Sequence, residues 1–111
     1  LMVTITHYIN NHLSEPLTLT RISDYVNYNS SYISRLFKQN MNMNFSEFIN
    51  EKRMEKAKEL LKTTNKKVDV ISKEVGFDNS KYFFRVFREA TGMSPREYRI
   101  QNKKASGVLQ L

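Results

Sequence analysis

Apolar residues along this chain recur at three- and four-residue spacing almost everywhere, and no stretch alternates in the two-residue rhythm of a strand. The pattern predicts an all-α fold of about seven helices. A first helix over about 2–13 gathers Val3, Ile5, Tyr8, Ile9 and Leu13 mostly on one side, and Ser14-Glu15-Pro16 ends it. A second follows over about 19–26, where the Thr18 hydroxyl can accept an orphan backbone N–H as N-cap. Asn27-Tyr28-Asn29 makes a turn. A third helix, about 30–40, buries Ile33, Leu36 and Phe37 and turns Ser30, Ser31, Ser34, Arg35 and Lys38 outward.

Asn44 and Glu47 stand at capping-box spacing before a long helix over about 45–62, whose apolar stripe is Phe45, Phe48, Ile49, Ala57, Leu60 and Leu61. At about 1.5 Å per residue this helix is roughly 27 Å long, a strut between the helices on its N-terminal side and those on its C-terminal side. Further helices are expected over about 68–75 and 80–90, separated by a turn at Gly76-Phe77-Asp78, and Gly92 closes the second of them. Ser94-Pro95-Arg96-Glu97 combines N-cap, first-turn proline and an acid at N3, a strong start for a last helix from 95. The segment 103–111 lacks periodicity and is expected to be a loose tail.

The pattern is stated twice. Ile22-Ser23-Asp24-Tyr25-Val26-Asn27-Tyr28 recurs 49 positions later as Ile71-Ser72-Lys73-Glu74-Val75-Gly76-Phe77. After a one-residue insertion, Ser30, Tyr32, Arg35, Phe37, Lys38, Met43 and Glu47 align with Ser80, Tyr82, Arg85, Phe87, Arg88, Met93 and Glu97. The chain therefore divides into a first helical unit over 1–44, the long helix over 45–62, a second unit over 63–102 and the tail. A duplicated helical unit suits a repeating polymer touched at two places.

Charge narrows that polymer. Eighteen Lys and Arg against eleven Asp and Glu give a net charge of +7 in 111 residues, which favours a polyanion. The excess is uneven: residues 1–62 hold eight basic and six acidic groups, residues 63–111 ten and five. No cysteine is present, so disulfides, thiolate metal sites and thiol nucleophiles are excluded. His7 and His12 are five apart on one helix, a poor metal spacing, and neither a nucleophile motif nor a glycine-rich phosphate loop occurs; no cofactor and no catalysis are expected. No apolar run reaches the roughly 18 residues that span a bilayer, and a cytoplasmic protein is expected. The chain begins at Leu1 and reads as part of a longer protein whose sensor or dimerisation domain lies elsewhere.

Two short helices joined by a tight turn, the second with a polar and basic outer face, describe a helix-turn-helix unit, and here there are two. The second helix of each would enter a major groove about 12 Å wide. Arg35 and Arg85 hold equivalent outward positions, and an Arg fork can donate two hydrogen bonds to guanine, worth about 1–3 kcal/mol of discrimination. Serine at 30, 31, 34 and 80 permits close approach. Phe84, outward between Lys81 and Arg88, either meets a thymine methyl or packs on a neighbouring helix.

Val75-Gly76-Phe77, Ser80-Lys81-Tyr82-Phe83-Phe84-Arg85-Val86-Phe87-Arg88, Gly92-Met93-Ser94-Pro95 and Tyr98-Arg99 resemble the C-terminal DNA-binding domain of the AraC/XylS family of bacterial transcription regulators. Tyr32-Ile33-Ser34-Arg35-Leu36-Phe37-Lys38 and Arg53-Met54-Glu55-Lys56-Ala57-Lys58-Glu59-Leu60-Leu61 are similar to it as well, so the resemblance spans Leu17 to Arg99. It implies two helix-turn-helix subdomains bridged by the long helix, with recognition helices in successive major-groove turns of one asymmetric site. Base contacts carried over by position fall on Ser30, Ser31, Ser34, Arg35, Ser80, Lys81, Tyr82, Phe84 and Arg85, and phosphate contacts on Lys38 and Arg88. The first unit departs from the family pattern, with Asn27 and Asn42 where glycine is usual; Asn is the next most tolerant of positive φ. Ser23 and Ser72 replace a small Ala.

Lys52, Lys56, Lys58 and Lys62, interleaved with Glu51, Glu55 and Glu59, read as a solvated helix face. The expected function is sequence-specific binding of double-stranded promoter or operator DNA, with RNA polymerase as a further partner. Two other readings use the same residues: a protein-interaction module that docks on RNA polymerase, and a non-specific architectural DNA binder.

Overall fold

The computed structural model describes the backbone of residues 1–110 and the side chains of residues 1–103. It contains α1 (Met2–Asn11), α2 (Leu19–Val26), α3 (Ser30–Met41), α4 (Phe45–Thr63), α5 (Val68–Glu74), α6 (Ser80–Thr91) and α7 (Pro95–Gln110), and no strand among the described residues. The segment 103–110, expected as a loose tail, is instead backbone of α7, and its side chains past Lys103 lie outside the described ones. None of the helices is long and apolar enough to cross a membrane, among the described residues.

The chain forms two compact units, Leu1–Arg53 and Met54–Leu111. The helix expected as a linker belongs to both cores. Its first half gives Phe45, Phe48 and Ile49 to a core with Ile5, Ile9, Leu13, Ile22, Ile33 and Phe37. Its second half gives Met54, Ala57 and Leu61 to a core with Ile71, Val75, Phe77, Phe83 and Phe87. One expected inner position is corrected: Val3 is 84% exposed. It precedes Ile5 by two residues, about 200° around the helix, so burying Ile5 and Ile9 turns Val3 to solvent.

Local chemistry sets the helix boundaries. Thr18 Oγ1 accepts the Arg21 N–H at 3.1 Å and starts α2. The Asn44–Glu47 capping box closes in both directions, at 2.8 and 3.1 Å, and Ser94–Glu97 repeats it at 3.1 and 3.4 Å. Asn29 and Asn79 cap the starts of α3 and α6 through their side-chain oxygens. At the turns, Asn27 (φ 60°) and Asn42 (φ 54°) in the first unit match Gly76 (φ 101°) and Gly92 (φ 76°) in the second. Asparagine therefore does take the left-handed backbone at both first-unit positions, as the substitution for glycine required.

The paired serines behave differently. Ser72 is 1% exposed and its hydroxyl donates to the Asp69 carbonyl at 2.9 Å, so it fills the place of a small apolar residue with its polar atom satisfied by its own helix. Ser23 is only half-buried and its hydroxyl donates across the turn to the Tyr28 carbonyl.

Candidate nucleic-acid interface

Helices α3 and α6 bury the same positions and expose the same positions. Ile33 and Phe37 are buried in one, Phe83 and Phe87 in the other, and Leu36 and Val86 are half-buried at the equivalent place. Fixing those inner positions leaves one outward stripe per helix at i, i+3, i+4, i+7 spacing. On α3 it is Ser31, Ser34, Arg35 and Lys38, all exposed; on α6 it is Lys81, Phe84, Arg85 and Arg88, all exposed. Ser30 and Ser80, the first residue of each helix, are half-buried.

The structure thus gathers most of the sequence candidates of each unit onto one face, with Ser30, Ser80 and Tyr82 outside the stripe. Phe84 resolves to the outside, 42% exposed, although its ring also meets Phe83 with centroids 6.0 Å apart. Tyr82 sits beside the stripe: it is 41% exposed, and the Arg85 guanidinium lies over its ring at 5.2 Å. That cation–π contact holds the Arg85 head in place without consuming its hydrogen-bond donors. Tyr32 is occupied differently, stacked on Tyr28 at 5.3 Å. The outward cations of the two stripes, Arg35, Lys38, Lys81, Arg85 and Arg88, form no ion pair among the described residues.

Three arginines that sequence reasoning left without a role are structural. Arg21 donates from Nε to the Tyr8 hydroxyl at 2.7 Å, from Nη1 to the Pro16 carbonyl at 2.8 Å and from Nη2 to Glu15 at 2.8 Å. Its fork ties α1, the connection and α2 together, and the hydrogen bond from Arg21 holds the Glu15 carboxyl below the usual carboxylate range. Arg53 donates to the Glu15 carbonyl at 3.0 Å and Arg99 to the Leu61 carbonyl at 3.1 Å. Leu61 is in the last turn of α4, so Arg99 satisfies an orphan carbonyl at the negative end of that helix. In each unit the arginine reaches a carbonyl 38 residues upstream.

In the second unit the stripe borders a groove of about 880 Å³ between α6, the start of α7 and the start of α5, with Phe84, Arg85, Arg88, Arg96 and Arg99 in its wall. The histidines are accounted for locally: Asn11 donates to His7 at 3.0 Å, and His12 Nδ1 donates to the Tyr8 carbonyl at 2.6 Å while its ring stacks on Tyr8. No group of three or more His, Asp or Glu among the described residues is placed to hold a metal ion.

Comparison with known proteins agrees with this architecture. A helix-turn-helix domain family model matches residues 22–101. The chain is 36% identical over 99 residues to the HTH-type transcriptional regulator YfiF of Bacillus subtilis, covering 89% of this chain and 31% of that protein. It spans between 13% and 38% of the length of the curated relatives it matches. A transcriptional regulator with an AraC-type DNA-binding domain from Chromobacterium violaceum superposes with a TM-score of 0.84 at 30% identity, covering 88% of each chain. The DNA-binding domain of the global transcription factor AdpA, solved with a target DNA, shares the fold with a TM-score of 0.86 at 20% identity and 93% coverage of each. These are DNA-binding domains of regulators, not enzymes, and two matched helix-turn-helix units with bare basic stripes are what that role requires: the chain belongs to the AraC-type helix-turn-helix family and is the DNA-binding domain of a transcription regulator.

Proposed function

We propose that the two stripes read one asymmetric duplex site, α3 in one major-groove turn and α6 in the next. The carrying observation is the match between them: Arg35 and Arg85 stand at equivalent positions on equally exposed faces whose inner sides are packed alike. Each arginine reads a base edge, with Ser30, Ser31 and Ser34 beside Arg35, and Ser80, Lys81, Tyr82 and Phe84 beside Arg85. Lys38 and Arg88, one turn further along each stripe, take phosphates. Successive major-groove turns are about 34 Å apart, and any departure from that spacing is met by bending the duplex at a cost of about 1–6 kcal/mol.

Support for the reading comes from AdpA, which shares the fold and was solved on DNA. The same reading places the chain in the cytoplasm on promoter DNA, with RNA polymerase and the remainder of a longer regulator, a sensor or dimerisation domain, as partners. Selection of the domain against a random duplex pool, followed by titration of the winner and a scrambled control at one salt concentration, tests it. Two short elements about one helical turn apart, preferred by about 10³-fold or more, are expected. Equal affinity for winner and scramble would replace sequence reading with architectural binding.

A further inference from the structure

The groove beside α6 has a composition that base reading does not explain. Lys67, Arg85, Arg88, Arg96 and Arg99 line it against a single acid, Asp69. None of the five is ion-paired with a carboxylate among the described residues, and Nη2 of Arg99 is buried there without a hydrogen-bond partner. Like charges gathered around one groove repel one another, and an anion in the groove would offset that repulsion. Lys67 and Arg96 are exposed, and neither supports the core.

The first unit has no counterpart. By the repeat offsets, Thr18, Ser46 and Ile49 stand where Lys67, Arg96 and Arg99 stand in the second. The helix-turn-helix fold therefore does not need Lys67 and Arg96, since the first unit builds the same pair of helices without them, whereas Arg99 is also tied to the Leu61 carbonyl.

We propose that this groove is a phosphate channel: a strand of the duplex backbone adjoining the second half-site lies in it, with Lys67 and Arg96 as phosphate ligands, Arg88 shared with the recognition stripe, and Arg99 supplying charge from the floor. The inference rests on the reading that α6 enters the major groove. It favours DNA over an acidic protein segment because the groove wall includes Arg85 and Arg88, so an occupant of the groove is continuous with whatever α6 touches. Val68 and Phe84 provide apolar wall for the sugar faces of the strand. Binding is accordingly lopsided, with more phosphates neutralised at the second half-site than at the first.

The test is the salt dependence of duplex binding for the whole chain and for the double variant Lys67→Ala with Arg96→Ala, on the selected site and on a scrambled duplex. Each lost phosphate contact lowers the slope of log affinity against log salt by about 0.9, so the double variant should be shallower by about 1.8 on both duplexes. Between 50 and 200 mM salt the unaltered chain then loses about tenfold more affinity than the variant. A control, Lys56→Ala with Lys62→Ala, removes the same charge from the α4 face outside the groove and should leave the slope nearly unchanged. An unchanged slope in the groove variant, with selective binding intact, overturns the channel and leaves an acidic protein segment as its occupant. An equal flattening in the control also overturns it, because net charge and not the groove would then govern binding. Failure of the unaltered chain to bind any duplex overturns the channel and the DNA reading together.

Discussion

The first and second units share an outward helix face, which the proposed reading makes a recognition head, and differ in what surrounds it. Both pack Ile or Phe and then Phe from the recognition helix inward, both cap that helix with Asn, and both end it on a left-handed residue. Yet residues 1–53 carry five basic and four acidic groups, whereas residues 54–111 carry thirteen and seven, so net charge is +1 in one unit and +6 in the other. The first unit commits Arg21 and Arg53 to its own scaffold. The second adds Lys67 and Arg96 to a groove that has no structural need of them. Packing matches between the units while charge differs, because a core tolerates few alternatives and an exposed cation is far less constrained.

The strongest test of the shared part is in the cores. Phe37 and Phe87 are equivalent and fully buried, and each meets an aromatic ring from the following helix: Phe48 at 5.0 Å in one unit, Tyr98 at 5.5 Å in the other. Truncation to Ala should cost about 3–5 kcal/mol in either case, measured by denaturant unfolding, with hydrogen-exchange protection lost first in the unit that carries the change. A cost under about 1 kcal/mol at one position would show that the two cores are not equivalent.

Next in size are the reading residues. Arg35→Ala and Arg85→Ala should each remove about 1–3 kcal/mol from binding to the selected site and far less from binding to a scramble, by titration at fixed salt. Equal losses on both duplexes would demote that arginine to a phosphate contact.

Turn chemistry gives a smaller contrast. An added Cβ at Gly92 meets no atom within 4 Å, so Gly92→Ala costs only the left-handed backbone at φ 76°, about 1 kcal/mol. Asn42→Gly at the matching position should stabilise by a few tenths of a kcal/mol. Thermal melts read both, and a destabilised Asn42→Gly would mean that the Asn side chain contributes more than backbone tolerance.

The smallest effect is confined to the first unit. Glu15, held below its usual range by Arg21, contributes stability that is present above its unfolded-state value and is lost as pH falls through its lowered folded-state value. Unfolding midpoints measured down to acid pH should therefore converge between the unaltered chain and Glu15→Gln. A constant gap at all pH values would show that the carboxylate charge plays no part.

The legibility of each feature in the sequence depends on where its signal resides. Helix starts were readable because Thr18, Asn44 with Glu47, and Ser94 with Glu97 act within four residues of themselves. The recognition stripes were readable because the duplication aligns Arg35 with Arg85 along the chain itself. Val3 was misphased because a five-member apolar set on a short helix allows more than one inner face. Met54 was passed over because it lies in a run of Lys and Glu, although it is 4% exposed in the second core. Arg21 was illegible because Tyr8, Glu15 and Pro16 come together only when α1 and α2 pack. The groove was illegible for the same reason, since Lys67, Arg88 and Arg96 belong to three separate segments.

The central claim, that one chain reads two different half-sites with two matched helices, is tested most directly by repeating the random-pool selection with Arg35→Ala and with Arg85→Ala. The account predicts that each variant still enriches one of the two elements recovered by the unaltered domain and loses base preference in the other, with the lost element switching between the two variants. Loss of both elements in either variant, or of the same element in both, would contradict it.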